Sequence, residues 1–136
     1  MKRTQARENV FYLVFEASFQ KDSIDAADIF QTAQELEVIE YDEYIERVFF
    51  GVMSEIENID EKIKAFSKGW KLERLSKVTL AIMRICVYEM LYCDDIPFNV
   101  SINEAVELAK KYDFDKAPAF INGVVNKIAE AEGLKK

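Results

Sequence analysis

Arg3 and Arg7 stand four apart at the start of the chain, with Lys2 beside them. That spacing puts both arginines on one face once a helix forms. A guanidinium fork matches phosphate geometry, and cations at a helix start gain nothing from the backbone dipole. Three bases in that place point to an external anion. Arg84 and Glu89 are the polar residues of an otherwise apolar run. Five apart, they are not direct helical neighbours. Each is expected either to pair with another helix, for example through Glu104 or Glu107, or to form a partner-binding edge. Cys86 and Cys93 are seven apart, which on a helix means one face but about 10 Å along the axis. A disulfide does not span that separation, so buried, reduced thiols in a cytoplasmic protein are expected.

Catalytic chemistry has little to stand on. There is no histidine, so the usual base of a serine or cysteine triad is missing. The four glycines are scattered and form no phosphate loop or dinucleotide fingerprint. The 25 carboxylates fall mainly on the polar faces of amphipathic segments, where solvation explains them. Without histidine or a CxxC pair, zinc binding is not expected. These features favour a protein that works by binding, with no enzymatic activity, metal or cofactor. The net charge of −7 is unevenly spread: residues 8–66 are strongly acidic, whereas residues 1–7 and 67–93 are each net basic. An acidic protein with basic segments can still carry a local anion site.

The elements that must position these residues read as helices. Only four glycines and two prolines punctuate the 136 residues. Residues 4–20 place Val10, Phe11, Val14, Phe15, Ser18 and Phe19 at helical spacing, with Thr4 as a candidate N-cap. Lys21-Asp22-Ser23 breaks the pattern. Asp25 opens a second helix and Asp42 caps a third, and a short one runs from Ile59 to about Phe66. Gly69 and Trp70 mark the clearest interior break, followed by a turn or short helix from Leu72 to about Lys77. Val78 to Cys93 is apolar on nearly every side, the mark of a buried central helix. Asp94-Asp95-Ile96-Pro97 ends it. Ser101 and Glu104 read as a capping box, and Pro118 suits the first turn of the last helix. Gly133 and the terminal lysines predict a frayed end. The count is about seven helices, an all-α fold with no membrane span and no signal segment.

Several segments, in order, resemble the NusB family of bacterial transcription antitermination factors. They are Ala6-Arg7-Glu8, Trp70-Lys71-Leu72-Glu73-Arg74-Leu75, the central run 81–90 with Arg84 and Glu89, the run 96–110, and Phe120-Ile121-Asn122-Gly123-Val124-Val125. The resemblance implies two helical sub-bundles, roughly residues 1–66 and 67–136, in one compact domain. It implies binding to boxA, a short single-stranded RNA element of ribosomal RNA leader transcripts. It also implies pairing with NusE, a small-subunit ribosomal protein, in an antitermination complex on RNA polymerase, without a cofactor. Homodimers occur among such proteins, and the sequence leaves this open. The same fold serves as the N-terminal domain of ribosomal RNA cytosine methyltransferases; with no cofactor-binding segment in these residues, the stand-alone factor is expected.

An RNA site of this kind combines a basic track with stacking groups. Lys2, Arg3, Thr4 and Arg7 would supply the first part. Lys116, Phe120 and Asn122 would supply the second. Phe120 either stacks a base or packs in the core; Asn122 either reads a base edge or braces the helix; Gly123 is expected to allow close helix packing. The resemblance places the NusE surface on the outer side of the first helix near Phe15 and in the Glu73–Thr79 region. There Glu73 and Lys77, four apart, either pair with each other or reach a partner. An RNA-independent, protein-binding helical scaffold is the alternative.

Overall fold

A computed structural model describes residues 1–20, 25–68 and 71–135. Seven α-helices follow one another: α1 (Arg3–Ala17), α2 (Ala26–Glu35), α3 (Glu43–Ser54), α4 (Ile56–Phe66), α5 (Lys77–Tyr92), α6 (Phe98–Tyr112) and α7 (Ala117–Ala131). A 3-10 turn, Leu72–Arg74, precedes α5. The described residues contain no strand, so the all-α reading holds. The expected breaks at Lys21-Asp22-Ser23 and at Gly69-Trp70 lie outside the described residues.

Local chemistry starts and stops these helices. The Asp25 carboxylate accepts from the Asp28 N–H at 3.1 Å, and Asp42 accepts from the Tyr44 N–H at 2.8 Å. Each satisfies a donor that the first turn leaves unpaired. Ser76 caps α5 the same way, accepting from the Thr79 N–H at 3.0 Å. Two expected caps are absent. Lys2, not Thr4, holds the N-cap position of α1, and it makes no side-chain cap bond. α6 starts at Phe98, directly after extended Pro97, so Ser101 lies one turn inside the helix and caps nothing. At the other ends, α2 and α7 close with paired bonds around a left-handed residue. Val38 donates to the Ala33 carbonyl at 2.9 Å with Glu37 at φ 57°, and Leu134 donates to Ala129 at 2.9 Å with Gly133 at φ 75°. Gly133 thus ends α7 as an ordered cap rather than a frayed tail. After α4 the left-handed position falls on Lys68, at φ 42°.

α5 is the axis of the molecule. Leu80, Ala81, Ile82, Met83, Ile85, Cys86 and Val87 are all buried. Each large apolar side chain among them contributes roughly 1.5–3 kcal/mol by leaving water. The helix packs against α1, α3, α4, α6 and α7. Its contacts set directions: Arg7 meets Glu89 while Lys77 meets Ser18, so α1 runs antiparallel to α5. Ser101 meets Glu89 while Thr79 meets Asp113, so α6 is antiparallel to α5 as well. α3 approaches closely because Gly51 has no side chain: a Cβ there would lie 2.1 Å from the Tyr88 ring. α4 packs on α5 and α7 rather than on α1 and α2. The face of α4 bearing buried Ile59 and Ile63 is thus turned to the later helices.

Candidate nucleic-acid interface

The first turn of α1 brings Lys2, Arg3 and Thr4 to the surface with no acidic residue among them. The partial positive charge of the helix start adds to theirs. Arg3 makes no hydrogen bond or ion pair among the described residues; its guanidinium lies over the Tyr44 ring, 4.4 Å from the centroid. Thr4 donates through its hydroxyl to Glu104 at 2.9 Å, which makes it a link to α6.

Arg7 does not join this surface. It is 3% exposed, and its guanidinium is committed inside the protein. Nε donates to Glu89 at 2.9 Å, Nη2 to Glu89 at 3.2 Å and Nη1 to Glu104 at 3.2 Å. Burial opposes the charge of Arg7, but the bonds and charge of Glu89 outweigh it and hold the pKa above the ordinary value. Glu89 is itself 1% exposed and also accepts from the hydroxyls of Tyr44 and Ser101. Arg7 therefore stands apart from exposed Lys2 and Arg3: all three nitrogens of its guanidinium are bonded to carboxylates, and little of it reaches the surface. The expected pairing of Arg84 and Glu89 across helices is present with other partners. Arg84 grips Asp60 of α4 through two bonds of 2.9 and 2.8 Å, and Glu89 takes Arg7.

A second surface lies where α4 ends against α7. Phe66, Lys68, Phe120, Gly123 and Lys127 line an open groove there, and no acidic residue is among its lining residues. Phe120 is half-buried: it packs against the core and also lines the groove. Lys127 and Lys68 stand close enough that Lys68 holds the Lys127 pKa below the ordinary lysine value. Gly123 is exposed, and a Cβ there would meet nothing within 4 Å. It opens a surface and does not serve close helix packing. Asn122 is exposed, and its side-chain oxygen and backbone carbonyl both accept from Asn126. Lys116 is exposed at the N-cap position of α7.

The two surfaces sit at opposite ends of α5. Arg7 marks the first near Glu89, whereas Asp113, three residues before Lys116, is bonded to Thr79 at 2.6 Å. Ten helical residues separate those anchor points, about 15 Å.

The remaining positions of interest surround the end of α1. Phe15 is half-buried and meets Phe19 edge-on at 4.9 Å; Phe19 is 55% exposed. Lys77 donates to the Ser18 carbonyl at 3.1 Å and lies 5.2 Å from the Phe19 ring centroid. It is not paired with Glu73, because the 3-10 turn and Ser76 interrupt the helix between them. Glu73 is exposed and lines a cleft with Leu72, Leu75, Met53 and Asp60. Thr79 is 3% exposed and bonded to Ser76 and Asp113, so its hydroxyl is engaged within the protein.

A family model described as the NusB family matches residues 4–130. The chain belongs to the NusB family. Among its NusB relatives, the transcription antitermination protein of Natranaerobius thermophilus is 48% identical over 133 residues, covering 95% of each chain. That of Acetivibrio thermocellus is 47% identical and covers 97% of this chain and 91% of its own. T. maritima NusB superimposes with a TM-score of 0.83 at 32% identity, covering 96% of this chain and 92% of that one. A chain from a crystal structure of the antitermination factors NusB and NusE in complex with double-stranded RNA superimposes at 0.81, with 26% identity and coverage of 95% and 96%.

As a member of the NusB family, the chain has candidate residues that spacing alone did not reveal. Phe66, Lys68 and Lys127 share the groove of Phe120 although Lys68 and Lys127 are far apart in sequence. Their signal was faint: a lysine two residues after Phe66 at the end of α4, and another seven residues after Phe120 within α7. Among the described residues no helix is long and apolar enough to cross a membrane, and no group of His, Cys, Asp or Glu could hold a metal ion.

Proposed function

We propose that this chain is a cytoplasmic transcription antitermination factor that binds boxA-type single-stranded RNA together with NusE and so helps assemble an antitermination complex on RNA polymerase. It acts by binding, without catalysis or cofactor. The observation that carries this reading is the end-to-end match to antitermination proteins, 48% identical over 133 residues. The two basic surfaces, each with an aromatic ring, suit a single strand: Lys2 and Arg3 at the start of α1, and Lys68, Lys116, Lys127 and Phe120 beside α7. On this reading Phe15, Glu73 and Lys77 meet NusE at the other end of α1, and residues 1–136 act as one RNA- and protein-binding domain.

The test is a closed thermodynamic cycle at fixed salt. A labelled boxA strand is titrated with the protein, with NusE absent and saturating; NusE is titrated with RNA absent and saturating. Cooperative binding is expected, and any gain must be reciprocal: tenfold tightening in one arm, about 1.4 kcal/mol, must appear in the other. A shuffled strand and a boxA duplex serve as competitors and should compete poorly. If RNA binds no more tightly than the shuffled strand in either arm while NusE binds normally, the chain is a protein-binding scaffold and the RNA reading is wrong.

A further inference from the structure

Arg3 is exposed and without an ion-pair partner among the described residues, yet it is not left to sample solvent. Its Cζ lies 4.4 Å from the centroid of the Tyr44 ring. That ring is a fixed support. Tyr44 is 4% exposed, and its hydroxyl donates to Glu89. Glu89 is held in turn by Arg7 and Ser101. Arg7 also approaches the ring, with its Cζ 5.6 Å from the centroid. A buried hydrogen-bonded network therefore ends in an aromatic face on which one surface guanidinium lies. Asp95 is gripped by Arg47 through bonds of 3.2 and 3.3 Å, which hold its carboxyl below the ordinary value, and Arg3 adds a smaller pull in the same direction.

We propose that Tyr44 is a positioning residue for RNA: it holds the Arg3 guanidinium so that its N–H groups are presented to a backbone phosphate, while Arg47 keeps Asp95 from capturing it. An arginine free in solvent loses rotamer entropy when it binds a phosphate. Stacked on Tyr44, Arg3 has surrendered much of that freedom before RNA arrives. The attraction of the cation to the ring leaves the edge of the guanidinium unused, so its donors remain for a ligand. A lysine in the same place would carry the charge but not the planar fork.

This inference rests on the reading of the α1 surface as an RNA contact, and the experiment separates the two. A boxA single strand is titrated with the full chain over a salt series, using the parent, Arg3→Ala, Tyr44→Leu, Tyr44→Phe and the double variant Arg3→Ala/Tyr44→Leu. Arg3→Ala should weaken binding and flatten the salt slope by about 0.7, the share of one single-strand phosphate. Tyr44→Leu should weaken binding several-fold with the slope unchanged, because the charge stays and only its placement is lost. Tyr44→Phe keeps the ring and should bind close to the parent. The double variant should bind as Arg3→Ala does. Equal losses from Tyr44→Leu in both backgrounds would overturn the positioning role while leaving the RNA surface intact. An Arg3→Ala variant that binds as the parent at every salt concentration would remove the surface and the proposal together. Should Tyr44→Leu fail to fold, Arg3→Lys decides: the expected result is a parental slope with several-fold weaker binding, and parental affinity overturns the proposal.

Discussion

Arg7 and Glu89 are 82 positions apart in the chain and 2.9 Å apart in the fold, both almost completely buried. This pair ties the first turns of α1 to the end of α5, and through Ser101 and Glu104 it ties both to α6. Removing one partner leaves the other charged and enclosed. Arg7→Ala should therefore lower the unfolding free energy by about 3–5 kcal/mol. Arg7→Lys should also destabilise, since one ammonium cannot reproduce three bonds to two carboxylates. Urea unfolding followed by circular dichroism measures both, with surface Arg3→Ala, expected within about 0.5 kcal/mol of the parent, as reference. A loss below 1 kcal/mol for Arg7→Ala would show that the pair contributes little to the fold.

The groove beside α7 should behave as an anion site. Lys68 and Lys127 crowd each other there, and Lys127 titrates below the ordinary lysine value in consequence. Lys68→Ala should raise the Lys127 pKa toward that value, and so should bound RNA. Nitrogen-detected NMR of the lysine side chains reads both shifts. Lys127→Ala should flatten the salt dependence of RNA binding by about 0.7 for a single strand. An unchanged slope would place the RNA elsewhere.

Glu73 and Thr79 should separate partner binding from stability. Glu73 is exposed in the cleft beside the end of α1, so Glu73→Lys should weaken NusE binding and leave stability within about 0.5 kcal/mol. Thr79 is buried with its hydroxyl bonded to Asp113. Thr79→Val should destabilise by about 1–3 kcal/mol, because Asp113 loses a donor. Paired calorimetry of NusE binding and of thermal unfolding distinguishes the two. Unaltered NusE affinity in Glu73→Lys would take that residue out of the interface.

Acid should loosen the contact between α1 and α6. Glu8 receives hydrogen bonds from Lys111 and Tyr112, which hold its carboxyl below the ordinary 4.5. Between those two values the unfolded chain binds more protons than the folded one. The stability that this cluster contributes is thus complete above pH 4.5 and is lost as pH falls through the lower, folded value. Glu8→Gln should reduce the slope of stability against pH in that window. An identical slope in parent and variant would assign the acid sensitivity to other carboxylates.

Much of the architecture was readable from local patterns. Apolar spacing marked all seven helices, and Asp25 and Asp42 cap where a short acceptor before an amphipathic run should. What failed was whatever depended on partners distant in sequence. Ser101 and Glu104 have capping-box spacing, but Glu89 and Arg7 engage them instead, and Pro97 starts the helix a turn earlier. Arg7 shares the helical face of Arg3, and nothing in that spacing discloses two carboxylates waiting at 89 and 104. Gly51 is required only because Tyr88 lies across it. The groove of Phe120 was half legible for the same reason: its lysines meet only once α4 lies on α7.

On the proposed RNA reading, the placement of both basic surfaces on helices packed against α5 would make the protein a bivalent receptor of fixed span. Their anchor points on α5, Thr79 and Glu89, lie about 15 Å apart along rigid helix. A strand anchored at one end meets the other surface as an intramolecular event, at an effective concentration set by the nucleotides between its two contacts. Affinity then depends on length as well as on bases: an oligonucleotide too short to reach gains nothing from the second surface, and one that just spans the two gains most. On that reading the helix core would act as a gauge, favouring RNA whose recognised nucleotides are correctly spaced.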